Sequence, residues 1–463
     1  MSPLDAGGRA APPPEALKLF HEAEAHEGAG RLEEAEATLE QVLALAPDFA
    51  PAIHAQGIIA ARRGQLDAAA ALMERSLQCR PVPAYFQRNL CEIYRQLRRY
   101  DEALKAGKAA VAADPKDFLA HVNLAVLLYA RGEPDASIAS AEQALALKPE
   151  APGAHFALAE AYLLKGELAK GWEEYEWRFR MPGVPPLLPE GAPPQWQGET
   201  LEGKRLLLVA DQGFGDCIQF ARYIPWAASR AGEVALACSP ELKPLIGGVS
   251  GVAKAFVRWE DCPKADAHLP LSGLPRLHGT TLANAPADIP YLATEPERRA
   301  RWARRLEELC ASAHRRIGLV WAGRPTHKND ANRSTTLAAL EPLGASEGVT
   351  FVALQKGGPE TQIAGWFAAA PLVNLGPELE SFADTAAALE SLDLVISVDT
   401  AVGHLAGALG RPIWLMLAHV PDWRWLQERA DSPWYPSLRL FRQSAHGDWP
   451  GVVAAVGRAL ADL

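Results

Sequence analysis

Four prolines, Pro47, Pro81, Pro115 and Pro149, recur at intervals of 34 residues, and a period of that size points to a stack of two-helix units rather than to an ordinary globular core. Other positions keep the same step. Small residues return at Ala23, Gly57, Cys91, Ala125 and Ala159, and again at Ala35, Ala69, Ala103, Ser137 and Gly171. Close helix approach accounts for both series: one small residue lets the first helix of a unit press on the second, and the other lets the second meet the next unit. Gly30, Gly64, Gly132 and Gly166 fall at the turn between helices, where a residue without a β-carbon accepts a positive φ. The third unit carries Arg98 there instead.

These residues resemble the tetratricopeptide repeat family over residues 16–180, in five units, the last serving as a junction to the next domain; residues 1–15 read as a disordered lead. The resemblance implies an α-solenoid whose first helices build a concave groove suited to an extended peptide or a partner helix. The sixth position of each repeat faces that groove in the family, and here it holds His21, Ala55, Asn89, Asn123 and Ala157. An asparagine amide both donates and accepts, so Asn89 and Asn123 are expected to clamp the backbone of an acceptor peptide. The alternative is two polar residues on an exposed helix face.

The grammar changes near residue 180. All 13 tryptophans lie at or beyond Trp172, and the stretch Met181 to Gln197 holds six prolines, so residues 181–202 read as a semi-rigid linker. Beyond it, short apolar strands alternate with helical stretches. Strands are expected at Arg205–Ala210, Val234–Cys238, Ala253–Val257 and Ala267–Leu271, then at Ile317–Ala322, Thr350–Leu354, Leu372–Leu375, Leu394–Val398, Ile413–Leu417 and Arg439–Phe441. The proline-bearing stretch Ala283–Tyr291 divides the two sets. We read two Rossmann-like α/β subdomains, 203–292 and 293–463, with a ligand cleft between the carboxyl ends of their strands.

Three clusters line that expected cleft. After the first strand comes DQGFGD, where Gly213 and Gly215 permit a tight turn with amides free to face a ligand. Ile218 stands where a third glycine would complete a dinucleotide fingerprint, which disfavours a nicotinamide enzyme. Asp216 reads either as a base taking a proton from an attacking hydroxyl or as a carboxylate favoured by the helix dipole. The second cluster comes after the first strand of the second set and places Arg324, His327, Lys328 and Arg333 beside Asn329, Asp330 and Ser334, a cationic loop suited to a diphosphate. In the third, a buried strand ends at Asp399, Thr400 caps, and the next helix carries Gly403 and His404 in its first turn, the histidine being a ligand contact or a packing residue. Gln355 and Lys356 stand at the cleft rim; Trp423, Trp425, Trp434 and Tyr435 either line it or pack the core.

GFGD, HKNDANRS and DTAVGHLAGALGRPIW together resemble the heptosyltransferase-type glycosyltransferases of GT-B fold, and repeats placed before such a unit resemble bacterial tetratricopeptide glycosyltransferases, including those that modify flagellin. The resemblance implies that 203–292 is the acceptor-side subdomain and 293–463 the nucleotide-sugar subdomain. It makes Asp216 the base, gives Asp399, Thr400 and His404 the donor nucleotide, and gives Lys328 and Arg333 its phosphates. The implied reaction moves a sugar from a nucleotide-sugar co-substrate to a Ser or Thr hydroxyl of a protein held by the repeats, with inversion, without a metal and with no other cofactor. Two alternatives stand beside it: a non-catalytic adaptor with a ligand-binding unit, and a transferase acting on a lipid or saccharide.

Composition narrows the partners. With 46 Lys and Arg against 56 Asp and Glu the net charge is −10, which opposes sequence-independent binding to nucleic acid or an anionic membrane. The six cysteines form no CxxC pair and no zinc spacing, and no apolar run reaches ~18 residues. A cytoplasmic protein without a membrane span is expected.

Overall fold

In the computed structural model, residues 12–79, 82–311 and 313–463 are described; most of the expected disordered lead, and Pro81, lie outside them. The chain divides after Tyr162 into two compact units, 1–162 and 163–463.

The first unit is a run of antiparallel helix pairs: α1 (Pro14–Gly28) with α2 (Leu32–Leu45), α3 (Ala50–Arg62) with α4 (Leu66–Gln78), α5 (Tyr85–Gln96) with α6 (Tyr100–Ala113), and α7 (Phe118–Ala130) with α8 (Pro134–Leu147). The helix α1 begins two residues before the expected start of the repeats at 16. The small-residue series are buried where helices meet: Ala23, Cys91 and Ala125 in the first helices, Ala35, Ala69 and Ala103 in the second. A β-carbon on Gly57 would sit 2.9 Å from Met73 Cγ, and the Ser137 hydroxyl donates to Ala125 O at 2.8 Å, joining the two series directly. Inter-helix turns place Gly30, Gly64 and Gly132 at φ 77°, 75° and 78°, and Arg98 adopts φ 60° in the same position. The fold therefore imposes the left-handed conformation even where no glycine supplies it.

The division falls inside α9 (Pro152–Leu164), so α10 (Leu168–Tyr175) and the 3-10 turn Glu176–Arg180 are part of the second unit. Trp172 on α10 is 2% exposed and meets Phe220 and Trp423 edge to face, with ring centroids 6.2 and 5.1 Å apart. A boundary at 180 would cut through this packing. The expected semi-rigid linker is pinned too: Trp196 is fully buried, its amide donates to His268 O at 2.8 Å, and Pro194 O accepts from His268 N at 2.9 Å, adding a bridge alongside a strand.

The second unit holds two parallel sheets. The first contains β1 (Leu201–Val209), β2 (Ala231–Ala237), β3 (Val252–Phe256) and β4 (Ala267–Pro270), in the order β3-β2-β1-β4. The second contains β5 (Arg315–Val320), β6 (Val349–Ala353), β7 (Leu372–Asn374), β8 (Leu394–Val398), β9 (Ile413–Leu417) and β10 (Leu438–Arg442), in the order β10-β9-β8-β5-β6-β7. All ten expected strands are present, shifted by a few residues at their ends. Central strands are apolar on both faces, and Ile317 pairs with Phe351 on one side and Leu394 on the other. Strand order reverses between β1 and β4 in one sheet and between β5 and β8 in the other. Such switch points open crevices at the carboxyl ends of the strands. The three sequence clusters come directly after β1, β5 and β8.

Candidate active site

At the carboxyl end of β1 the chain turns into the helix Phe214–Phe220, whose first turn carries Asp216. The glycines there do not serve the turn as expected. Gly213 has φ −61° and Gly215 is helical, so neither needs a left-handed backbone. Gly215 is small because a β-carbon would lie 2.9 Å from His404 Cδ2 and 3.4 Å from Ala401 Cα. This contact brings the Asp216 helix against the start of the helix Ala401–Ala408, the one after β8.

Thr400 stands at the N-cap of that second helix but does not cap it with its side chain. Its hydroxyl lies 3.1 Å from Ser397 Oγ instead, and the amides of Ala401 and Val402 have no protein acceptor among the described residues. Two unpaired amides at a helix start offer donors to an anion. Gly403 is buried, and a β-carbon on it would lie 2.9 Å from Leu415 Cδ1, so it serves helix-to-strand packing. His404 takes the packing alternative: it is 5% exposed, stacks on Trp425 with centroids 5.1 Å apart, and its Nδ1 lies 3.0 Å from the Tyr435 hydroxyl. Burial, then Arg424, Arg222 and Arg333, hold its pKa well below the usual histidine value, so the ring is neutral. Asp399 is 9% exposed, and burial with the nearby Asp422 pushes its carboxyl up to about 6 against the pull of Arg333.

The loop after β5 divides its work. Asp330 accepts from Ser334 Oγ at 3.0 Å and pairs with Arg333 Nε at 3.4 Å, while Ser334 Oγ accepts from Gly323 N at 2.9 Å. Asp330 and Ser334 thus shape the loop. Arg324 reaches out of it to lie over the Phe214 ring, 5.6 Å from its centroid, and Lys328 is exposed with no partner among the described residues. Gln355 is a brace rather than a rim contact: it is 3% exposed, its Oε1 accepts from Trp321 N and Ala322 N at 3.1 and 3.0 Å, and its Nε2 donates to Ala322 O at 3.0 Å. Lys356 Nζ donates to Gly376 O at 2.9 Å and also to Leu379 O, which spends it on the neighbouring loop.

No sequence motif pointed to the partner of Asp216. Arg424, 6% exposed, donates from Nη2 to Asp216 Oδ1, from Nη1 to Asp422 at 2.8 Å, and from Nε to Gln219 Oε1. Its segment holds Trp423, Trp425, Trp434 and Tyr435, all buried, so the aromatic run packs the core and delivers a cation. The signal was present in PDWRW, where an acid and an arginine interrupt buried rings. Asp211, at the end of β1, accepts from Ser272 N at 3.1 Å and from the Ser272 hydroxyl, to which Arg178 also donates. Arg178 comes from the turn after α10, so the end of the repeat array holds the Asp216 loop.

In the first unit Asn89 and Asn123 lie half-buried on α5 and α7 and bond along the array. Asn89 Nδ2 is 3.0 Å from His54 Nε2 and its Oδ1 accepts from Arg88 Nε at 3.3 Å; Asn123 Nδ2 donates to Arg88 O at 3.2 Å. Asn89 is therefore occupied within the array, while the side-chain carbonyl of Asn123 has no partner among the described residues. Among the described residues no group of three metal-ligating side chains converges, and no helix is long and apolar enough to cross a membrane.

The Asp216 helix thus lies against a helix start that carries two amides unpartnered among the described residues. Tetratricopeptide repeats match residues 20–82, 54–118 and 122–176, and Glycosyltransferase family 9 (heptosyltransferase) matches residues 353–415. The chain is a glycosyltransferase of heptosyltransferase type, preceded by tetratricopeptide repeats. It is similar to Protein FlbA of Caulobacter vibrioides, 29% identical over 502 residues, covering 92% of this chain and 80% of that protein. Among solved structures, YrrB, described as a TPR protein with an unusual peptide-binding site, aligns at 19% identity and TM-score 0.31 over 36% of this chain and 85% of its own. MamA from Desulfovibrio magneticus RS-1 aligns at 20% identity and TM-score 0.34 over 37% of this chain and 100% of its own.

Proposed function

We propose that this glycosyltransferase moves a sugar from a nucleotide-sugar to a Ser or Thr hydroxyl of a protein, in the cytoplasm, with inversion and without a metal. The observation that carries the proposal is the position of Asp216, a half-buried carboxylate beside the uncapped start of the helix Ala401–Ala408. In the reaction the acceptor hydroxyl attacks the anomeric carbon, its proton passes to Asp216, and the bond to the diphosphate breaks. The amides of Ala401 and Val402, with Lys328, Arg324 and Arg333 from the loop after β5, receive the charge that grows on the departing diphosphate. Those cations and the helix start do the work that a divalent ion does in other transferases. Asp399 and Thr400 sit at the donor side. Asn123, whose side-chain carbonyl has no partner among the described residues, is the candidate peptide contact in the repeats, and flagellin is the first acceptor to test.

Intact-mass analysis of cellular proteins with and without the gene product gives the sugar from the added mass and the acceptor from the protein that carries it. Restoring the chain as Asp216→Asn should leave that mass unmodified. A modification that persists undiminished in D216N would remove Asp216 from the chemistry. Modification found only on lipid or saccharide would overturn the protein acceptor.

A further inference from the structure

We propose that Arg424 is the positioning residue of the candidate base: it fixes the Asp216 carboxylate through Oδ1 and leaves Oδ2 to take the proton. The inference rests on the role given to Asp216 above.

Geometry carries it. The two residues are 208 positions apart and come from different subdomains, yet their side chains form an ion pair with Arg424 6% and Asp216 26% exposed. Arg424 has little freedom to be elsewhere. Its guanidinium lies over the Trp423 ring, 4.1 Å from the centroid; its backbone N–H donates to Asp422 Oδ1 at 3.0 Å; and its carbonyl accepts from Trp434 Nε1 at 2.8 Å. Gln219, fully buried one helical turn beyond Asp216, accepts the Nε hydrogen, so both contacts of the guanidinium with this helix are specified. A planar group whose three nitrogens bond Asp216, Asp422 and Gln219 in fixed directions is what arginine supplies and lysine does not. Trp172 packs on Trp423 and Arg178 holds Ser272 beside Asp211, so the last helix and turn of the repeats support both ends of the pair.

Charge gives the pairing a consequence. Burial pushes the Asp216 carboxyl up, Arg424 pulls it down, and Asp422 and Asp211 push it up again; the Gly213 amide helps to hold it down. Tyr175 from α10, His327 from the loop after β5, and Cys217 complete the titratable groups that feel this carboxylate. Removing Arg424 leaves two neighbouring carboxylates and no cation bonded to Asp216, so the base should need a higher pH to lose its proton.

The test is the pH profile of kcat/KM for nucleotide release from a panel of UDP-, GDP-, ADP- and CMP-linked sugars, in the full chain, for wild type, Arg424→Gln and Arg424→Lys. The acid limb should move up by at least one pH unit in R424Q, and by less in R424K, with the KM for donor little changed. Carbodiimide labelling of Asp216, read by peptide mass spectrometry against pH, reports its protonation without any substrate and should show the same order. Equal losses at every pH, or labelling at the same pH in all three proteins, overturn the inference. If R424Q does not fold, the R424K profile and labelling decide by themselves, and an unshifted limb is fatal. Should wild type turn over no donor, the transfer reading of the site fails, while the labelling still decides whether Arg424 governs Asp216.

Discussion

Replacing Trp172 by alanine tests whether the end of the repeat array belongs to the catalytic unit. The indole is 2% exposed, so nearly all of its ~200 Å² of apolar surface is removed from water, a transfer gain of about 5 kcal/mol. Its rings meet Tyr175, Phe220 and Trp423 edge to face, with centroids 5.9, 6.2 and 5.1 Å away, and these neighbours are themselves anchored, so the hole would close poorly. A loss of about 3–5 kcal/mol is expected, which at about 2 °C per kcal/mol lowers the melting temperature of the unit 163–463 by about 6–10 °C. Differential scanning calorimetry on wild type, Trp172→Phe and Trp172→Ala would read it, with the phenylalanine variant falling between. Because Trp423 precedes Arg424, transfer activity should decline in the same order at temperatures where all three remain folded. A W172A transition within about 1 °C of wild type, against the loss expected for an emptied aromatic site, would refute the packing and return α10 to an independent repeat.

Three further outcomes concern single residues. Arg98 holds φ 60°, so Arg98→Gly should stabilise the repeats by a net of about 0.5–1 kcal/mol, read as a higher midpoint of urea unfolding, the relief of a left-handed side chain less the added freedom of the unfolded glycine. His54 stacks on Phe86 with centroids 3.8 Å apart, and burial, then Arg88, lower its pKa from 6.5 to about 4. The unfolded chain therefore binds the extra proton first: the neutral ring's contribution is whole above pH ~6.5 and falls by up to about 3 kcal/mol as pH drops towards 4. Melting curves of wild type should show that acid slope and those of His54→Phe a shallower one. Gln355→Ala strands the buried amides of Trp321 and Ala322 and should cost about 2–4 kcal/mol of stability; a raised KM for donor with unchanged melting would instead make Gln355 a ligand.

The repeats were legible because their information is local. A small residue every 34 positions and a glycine at each turn state where helices touch and where φ must be positive, and Arg98 keeps the conformation although it breaks the pattern. Strands β1 to β10 were legible for the same reason, as short apolar runs separated by helical stretches. The division between the halves was not. Composition placed it near 180, yet Trp172 and Arg178 are held by Phe220, Trp423 and Ser272, residues whose nearness no run of sequence announces.

At the site, the chain's order alone determined which loops leave the strand ends, and hence that Asp216 and Thr400 would both stand at carboxyl ends of parallel strands. Tertiary structure decided what each side chain does. Gly215 is small because His404 and Ala401 press on it, Gln355 and Lys356 are spent on neighbouring backbone, and Arg424 meets Asp216 across 208 residues. Periodicity and propensity act over a few residues, whereas an ion pair between two subdomains exists only once both sheets are built and packed.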